Sequence, residues 1–122
     1  MTHYVGLDVS MEVTSVCVLD GDGAIVWRGV CASTPEAMAA AVAEHARDAA
    51  RVVLESGPLS HWHWHGLRAL GVPVVCIDAR HAHGVLSARL NKTDANDAEG
   101  LAQLARSGWF VPVQGQERLG AS

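Results

Sequence analysis

The chain opens with three apolar runs separated by polar breaks. Residues 3 to 9 are mostly apolar, the pattern of a central strand. Residues 13 to 19, Val-Thr-Ser-Val-Cys-Val-Leu, are rich in β-branched side chains and predict a second strand. Asp20-Gly21-Asp22-Gly23 is a turn signal, and residues 24 to 30 return as a third strand. Three strands joined by tight turns predict an antiparallel meander. The period then changes. Thr34-Pro35-Glu36 predicts a helix start, with Thr34 as N-cap and Pro35 at the first helical position. An alanine-rich helix follows to about Asp48, with Met38, Val42 and Ala46 on one face. Arg51 to Glu55 reads as a fourth strand, broken by Gly57-Pro58. A helix from about Ser60 to Leu70 stops at Gly71, and Val72 to Ile77 is a fifth strand. Residues 79 to 89 are predicted helical, and a last helix runs from Thr93 to Arg106, ended by Ser107-Gly108. The order β-β-β-α-β-α-β-α-α predicts an α/β fold, one mixed sheet with helices on its faces.

Composition sets the class. A chain of 122 residues suits one domain and is short for two. Hydrophobic content of 49% against 18% charged predicts a folded chain rather than a disordered one. No apolar run approaches a membrane span, and Met1-Thr2-His3-Tyr4 does not open a secretory signal. Cys17, Cys31 and Cys76 make an odd count inside or beside apolar strands, so they read as reduced core residues of a cytoplasmic protein. A catalytic thiol is the alternative, but no motif surrounds any of them. The net charge of -4 argues against a domain that grips nucleic acid alone. Arg80, Arg89 and Lys92 supply local positive charge, and most of a phosphate grip would come from another domain, another subunit or metal ions.

Four carboxylates carry the candidate chemistry. Asp8 and Glu55 stand where two strand-like runs end. Asp94 and Asp97, three apart, share one face at the start of the last helix. Each has a plain structural explanation: Asp8 and Glu55 as turn residues, Asp94 as N-cap, Asp97 as a first-turn acid favoured by the helix dipole. If the first and fourth strands are parallel neighbours, Asp8 and Glu55 lie side by side at their carboxyl ends. The last helix then has the means to bring Asp94 and Asp97 across them. So much negative charge is unfavourable without cations, and hard oxygen ligands point to Mg²⁺ or Mn²⁺. The chemistry that uses such a set is phosphodiester cleavage or transfer with two divalent ions.

Three other patterns compete. His61-Trp62-His63-Trp64-His65 puts His61 and His65 four apart, with His81 and His83 later, and invites a zinc reading. No cysteine or carboxylate stands at ligand spacing in that helix, so a helix with Trp62 or Trp64 packed inward and histidines at its rim is preferred. Asp20-Gly21-Asp22-Gly23 lacks the later Glu and the length of a calcium loop. Asp78, at the fifth strand's end, is the decoy for a fourth ligand.

Read in order, the motifs resemble a known family. Val5-Gly6-Leu7-Asp8-Val9-Ser10, Val53-Leu54-Glu55-Ser56-Gly57 and Asn91-Lys92-Thr93-Asp94-Ala95-Asn96-Asp97-Ala98 look like the DEDD signature of bacterial insertion-sequence transposases, which include the Piv-type DNA invertases and the bridge-RNA-guided recombinases. The runs from Gly71 to Arg80 and from Gly100 to Phe110 look similar too, so the resemblance spans roughly residues 4 to 113. It implies an RNase H-like, RuvC-like fold, with Asp8, Glu55, Asp94 and Asp97 binding Mg²⁺ (or Mn²⁺) for DNA strand cleavage and joining. It also implies a structured guide RNA and homo-oligomers assembled on DNA. The domain it implies spans residues 1–113, followed by a polar tail, residues 114–122. Such proteins continue into a C-terminal domain with a nucleophilic serine, and no serine here matches it. Recombination by this chain alone is therefore not expected. A non-catalytic remnant, a stand-alone junction-resolving nuclease and a sugar-kinase or actin-like lobe are the alternatives. The last needs a second glycine-rich phosphate loop that this sequence lacks.

Overall fold

The computed structural model describes residues 2–55, 60–77 and 98–108. These hold five strands, β1 (His3–Val9), β2 (Val13–Leu19), β3 (Ile25–Ala32), β4 (Ala49–Glu55) and β5 (Val74–Ile77). They also hold three helices, α1 (Pro35–His45), α2 (Ser60–Ala69) and α3 (Ala98–Ser107). The strands form one sheet in the order β3-β2-β1-β4-β5. The meander β1–β2–β3 is antiparallel, whereas β1–β4 and β4–β5 are parallel. The predicted order is thus observed, except that the helix expected over residues 79 to 89 and the first residues of the last helix lie outside the described residues.

Local signals account for the element ends. The Asp20 carboxylate accepts from the Asp22 and Ala24 amides at 2.9 and 3.0 Å, and Gly23 takes φ +87°. Asp20-Gly21-Asp22-Gly23 is therefore a hairpin turn that uses its first aspartate internally. Thr34 caps α1, its Oγ1 accepting from the Ala37 amide at 3.2 Å, with Pro35 in the first turn. The helix ends three residues earlier than its composition predicts. The Ala46 amide closes on Val42, and the Asp48 carbonyl is taken by the His3 amide as the chain turns into β4. β4 correspondingly starts at Ala49, two residues before the predicted Arg51. Gly71, at φ +84°, ends α2 as expected. β5 begins at Val74 rather than Val72, because Pro73 has no amide to donate to a ladder.

The sheet separates two cores. Val5, Leu7, Val16, Val18, Val52, Leu54 and Val74 point to one face and pack against Met38 and Val42 of α1 and Trp64 and Leu67 of α2. On the other face Val53 and Ile77 pack against Leu101, Leu104 and Ala105 of α3, while Cys17 and Leu19 meet Ala98 and Ala102. The interior strand β4 is thus buried on both faces, which explains its unbroken Val-Val-Leu run.

Candidate metal centre

The candidate site follows from the sheet register. In the parallel pair β1–β4, Gly6 lies opposite Val53 and Leu7 opposite Leu54. Leu7 and Leu54 point into the α1/α2 core. Side chains alternate along a strand, so the next residues, Asp8 and Glu55, project to the opposite face, the one that carries α3. They are neighbours at the carboxyl ends of adjacent parallel strands, and both are half-buried. Across the other ladder Asp8 faces Ser15, and Glu55 is in register with Ile77 of β5. The arrangement the sequence required of these two carboxylates is present.

α3 is aimed at this edge by a glycine. A Cβ built on Gly6 would overlap the backbone of Ala98 and Ala102 and would lie 2.9 Å from the Leu101 carbonyl carbon. Only glycine lets the helix backbone rest directly on β1 here. The helix runs antiparallel to β1. Its last turn lies at the strand's amino end, where the Arg106 guanidinium approaches Gly23 and Gly108 approaches the Arg51 side chain. Its first described residue, Ala98, therefore sits over Gly6, one alternation from Asp8. Glu99 in the first turn also reaches Arg28 of β3 at 3.7 Å. Both partners of that ion pair are solvent-accessible, so it contributes little. Asp97 directly precedes Ala98 in sequence. Asp94 and Asp97, like the decoy Asp78, lie outside the described residues. The structure thus brings together two of the four predicted carboxylates.

The donors present suit a hard divalent ion. Two adjacent carboxylates supply oxygen, and their partial exposure leaves room for water ligands. Like charges this close favour a cation between them. Among the described residues no group of three or more His, Cys, Asp or Glu side chains is arranged to hold a metal.

The histidine-rich helix resolves differently from its simplest reading. Trp64 is buried and Trp62 is exposed, which decides which indole faces inward. His61 and His65 lie on the surface, where one Nε2–H donates to the other ring nitrogen at 3.0 Å. His63 is not at the rim. It is 1% exposed, and its Nε2 donates to the Ser33 carbonyl at 3.0 Å. Flanking tryptophans concealed it, since periodicity alone does not distinguish one buried ring from its neighbours. None of the three cysteines forms a disulfide: Cys17 and Cys76 are buried, and burial pushes the Cys31 thiol above its ordinary pKa. A raised pKa depletes the thiolate and removes the case for Cys31 as a nucleophile.

The sequence profile of a transposase family, the DEDD transposases of the IS110 type, matches residues 5–119. The chain belongs to the DEDD transposase family. The match on this transposase domain continues past Val113, where the resemblance of individual motifs stops. No curated protein sequence matches it. Two solved structures of Thermus thermophilus RuvC are similar to it, each 16% identical in sequence. One, in complex with a Holliday junction substrate, has a TM-score of 0.60 and covers 93% of the transposase domain and 100% of the RuvC chain. The other has a TM-score of 0.58 and covers 91% and 99%. At this identity the likeness is one of fold. The transposase domain has the RNase H-like, RuvC-like fold, with its antiparallel meander, parallel αβ units and helices on both faces. No described helix is long and apolar enough to cross a membrane.

Proposed function

We propose that the chain is the N-terminal, metal-dependent catalytic domain of a DNA transposase or recombinase. In this reading Asp8, Glu55, Asp94 and Asp97 hold two Mg²⁺ or Mn²⁺ ions. The observation that carries it is the placement of Asp8 beside Glu55, half-buried at the ends of parallel β1 and β4 and on the face that receives α3. Family membership supplies the remaining support, because the sequence that enters α3 holds the other two acids of the DEDD signature.

The residues divide the work. Asp8 and Glu55, on the rigid centre of the sheet, fix one side of the metal pair. Asp94 and Asp97, which precede α3 in the sequence, would supply the remaining carboxylate ligands. Divalent ions held by these carboxylates would supply activation of the attacking oxygen and stabilisation of the leaving oxygen of a phosphodiester. The carboxylates would hold the ions through oxygen, and the partial exposure of Asp8 and Glu55 would give water access to them. DNA is the proposed substrate, in keeping with the junction bound by the RuvC of the same fold. A structured guide RNA, a homo-oligomeric assembly, a cytoplasmic location and a catalytic unit of residues 1–113 with a polar tail, residues 114–122, complete the reading. The serine chemistry of recombination belongs to a second domain.

Calorimetric titration with Mn²⁺ tests the metal centre. Binding by the wild type, weakened at least about tenfold in Asp8→Asn and in Glu55→Gln, is the expected result. Equal binding by all three proteins would overturn it. Mn²⁺-dependent cleavage of four-way junctions in preference to duplex would favour a junction-resolving nuclease. Mn²⁺ binding without cleavage of any DNA, in a preparation that includes the serine domain, would favour the non-catalytic remnant.

A further inference from the structure

A buried polar network lies behind the carboxylate edge, on the face of the sheet opposite α3. Its centre is Ser33, at the junction of β3 and α1, and all four of its hydrogen-bonding groups are used. The Ser33 amide donates to the Glu12 carbonyl at 3.1 Å. Its Oγ donates to the Ser10 carbonyl at 2.6 Å. That hydroxyl has one hydrogen, so the Thr14 hydroxyl, 2.8 Å away, must be the donor to Ser33 Oγ. The Ser33 carbonyl accepts from His63 Nε2. Thr14, Ser33 and His63 are 0%, 7% and 1% exposed. Buried groups of this kind are costly unless satisfied, and a satisfied network makes its surroundings rigid.

What the network holds is specific. Ser10 follows Asp8 by two residues and opens the β1–β2 turn, whose tip is solvent-exposed; Met11 is 89% exposed. Within that turn the Ser10 amide donates to the Val13 carbonyl. Beyond the strand pairing, Ser33 ties the turn to the start of α1 through Ser10 and Glu12, with Thr14 locking the hydroxyl from the strand position opposite Val9. His63 belongs to α2, the helix that follows Glu55 in the chain. One network thus joins the segment after the first carboxylate to the segment after the second.

We infer that Thr14, Ser33 and His63 are positioning residues for the metal centre, holding the carboxyl end of β1 at a fixed distance from that of β4. This inference rests on the proposed metal-binding role of Asp8 and Glu55. None of the three touches the ions. They act through the backbone of Ser10 and of the α2 segment.

Mn²⁺ titration of the full chain tests it, performed well below each variant's unfolding temperature. Thr14→Val removes the hydroxyl that donates to Ser33 Oγ, and Ser33→Ala removes the hub. Each should weaken Mn²⁺ binding by about tenfold, the lower end of the effect of groups that support metal ligands. Thr14→Ser keeps the hydroxyl and should restore wild-type affinity. Val42→Ala, in the same core but remote from the network, serves as the stability control and should leave the affinity unchanged. Wild-type affinity in Thr14→Val and Ser33→Ala would overturn the positioning role while leaving the metal centre intact. So would an equal loss in Val42→Ala, which would make the effect one of general stability. Should the wild type itself fail to bind Mn²⁺, the metal centre falls, and the positioning role with it. Amide exchange at Val9 and Ser10, faster in Thr14→Val than in Val42→Ala, is the matching structural readout.

Discussion

Gly6→Ala probes how closely α3 rests on the sheet. The added methyl would overlap the backbone of Ala98 and Ala102 and stand 2.9 Å from the Leu101 carbonyl carbon. All three contacts are main chain, so no side chain can rotate away. The helix must lift by about 1 Å, opening gaps around Leu101 and Leu104, which are 0% and 1% exposed. Overpacking of this kind costs about 1–3 kcal/mol, and an obstacle made only of backbone puts Gly6→Ala near 3 kcal/mol. For a domain of this size that corresponds to a fall in melting temperature of roughly 10–15 °C. Gly21→Ala is the paired control, since a methyl there meets nothing within 4 Å. It should stay within about 1 kcal/mol of wild type, at or above it, because alanine restricts the unfolded chain. Urea denaturation followed by circular dichroism measures both. The lifted helix should also weaken Mn²⁺ binding, because Ala98 sits over Gly6 on the face that Asp8 shares. A Gly6→Ala protein as stable as Gly21→Ala would refute the direct backbone contact and, with it, the placement of α3 over the carboxylate edge.

Three further outcomes are expected. Leu101→Ala empties the centre of the α3 interface between Val53 and Ile77 and should cost about 2–5 kcal/mol in urea unfolding. Mg²⁺ or Mn²⁺ at about a hundred times its dissociation constant should stabilise the wild type by roughly 2.7 kcal/mol in thermal unfolding, an increment abolished by chelator and cut to about 1.4 kcal/mol or less in Asp8→Asn. Burial raises the pKa of the Cys31 thiol, so its alkylation by iodoacetamide should be slow near pH 7 and accelerate as pH rises through the elevated pKa, and fast labelling at neutral pH would contradict its partly buried packing against the core.

The strands and caps were legible because each rests on a local cause. Val16 to Leu19 alternates between two cores, Thr34 carries its own capping oxygen, and Gly71 supplies the positive φ that ends α2. The end of α1 was not legible. Ala43, Glu44, His45 and Ala46 are all compatible with a continuing helix, and what stops it is the Asp48 carbonyl engaging the His3 amide, a contact across 45 positions of sequence. His63 was obscured for a related reason. Its partner, Ser33, is 30 residues away, and nothing in the His-Trp alternation marks which ring turns inward.

The carboxylates show where local and long-range information meet. Asp8 or Glu55 alone is indistinguishable from a residue that simply ends a strand. Their meaning depends on β4 pairing beside β1 in parallel and in a register that sets Leu7 against Leu54, since a slip of one residue would turn one carboxylate into the α1/α2 core. The buried identities of Val5, Leu7, Val52 and Leu54 fix that register, because all four must face α1 and α2 together. Gly6 adds the one signal that was present in the sequence and easily passed over. A glycine inside a buried strand marks a close backbone approach, and the residue two positions on lies on the same face, beside whatever approaches. Gly6-Leu7-Asp8 therefore encodes both halves of the arrangement: a flat place for α3 to rest, and a carboxylate at its edge.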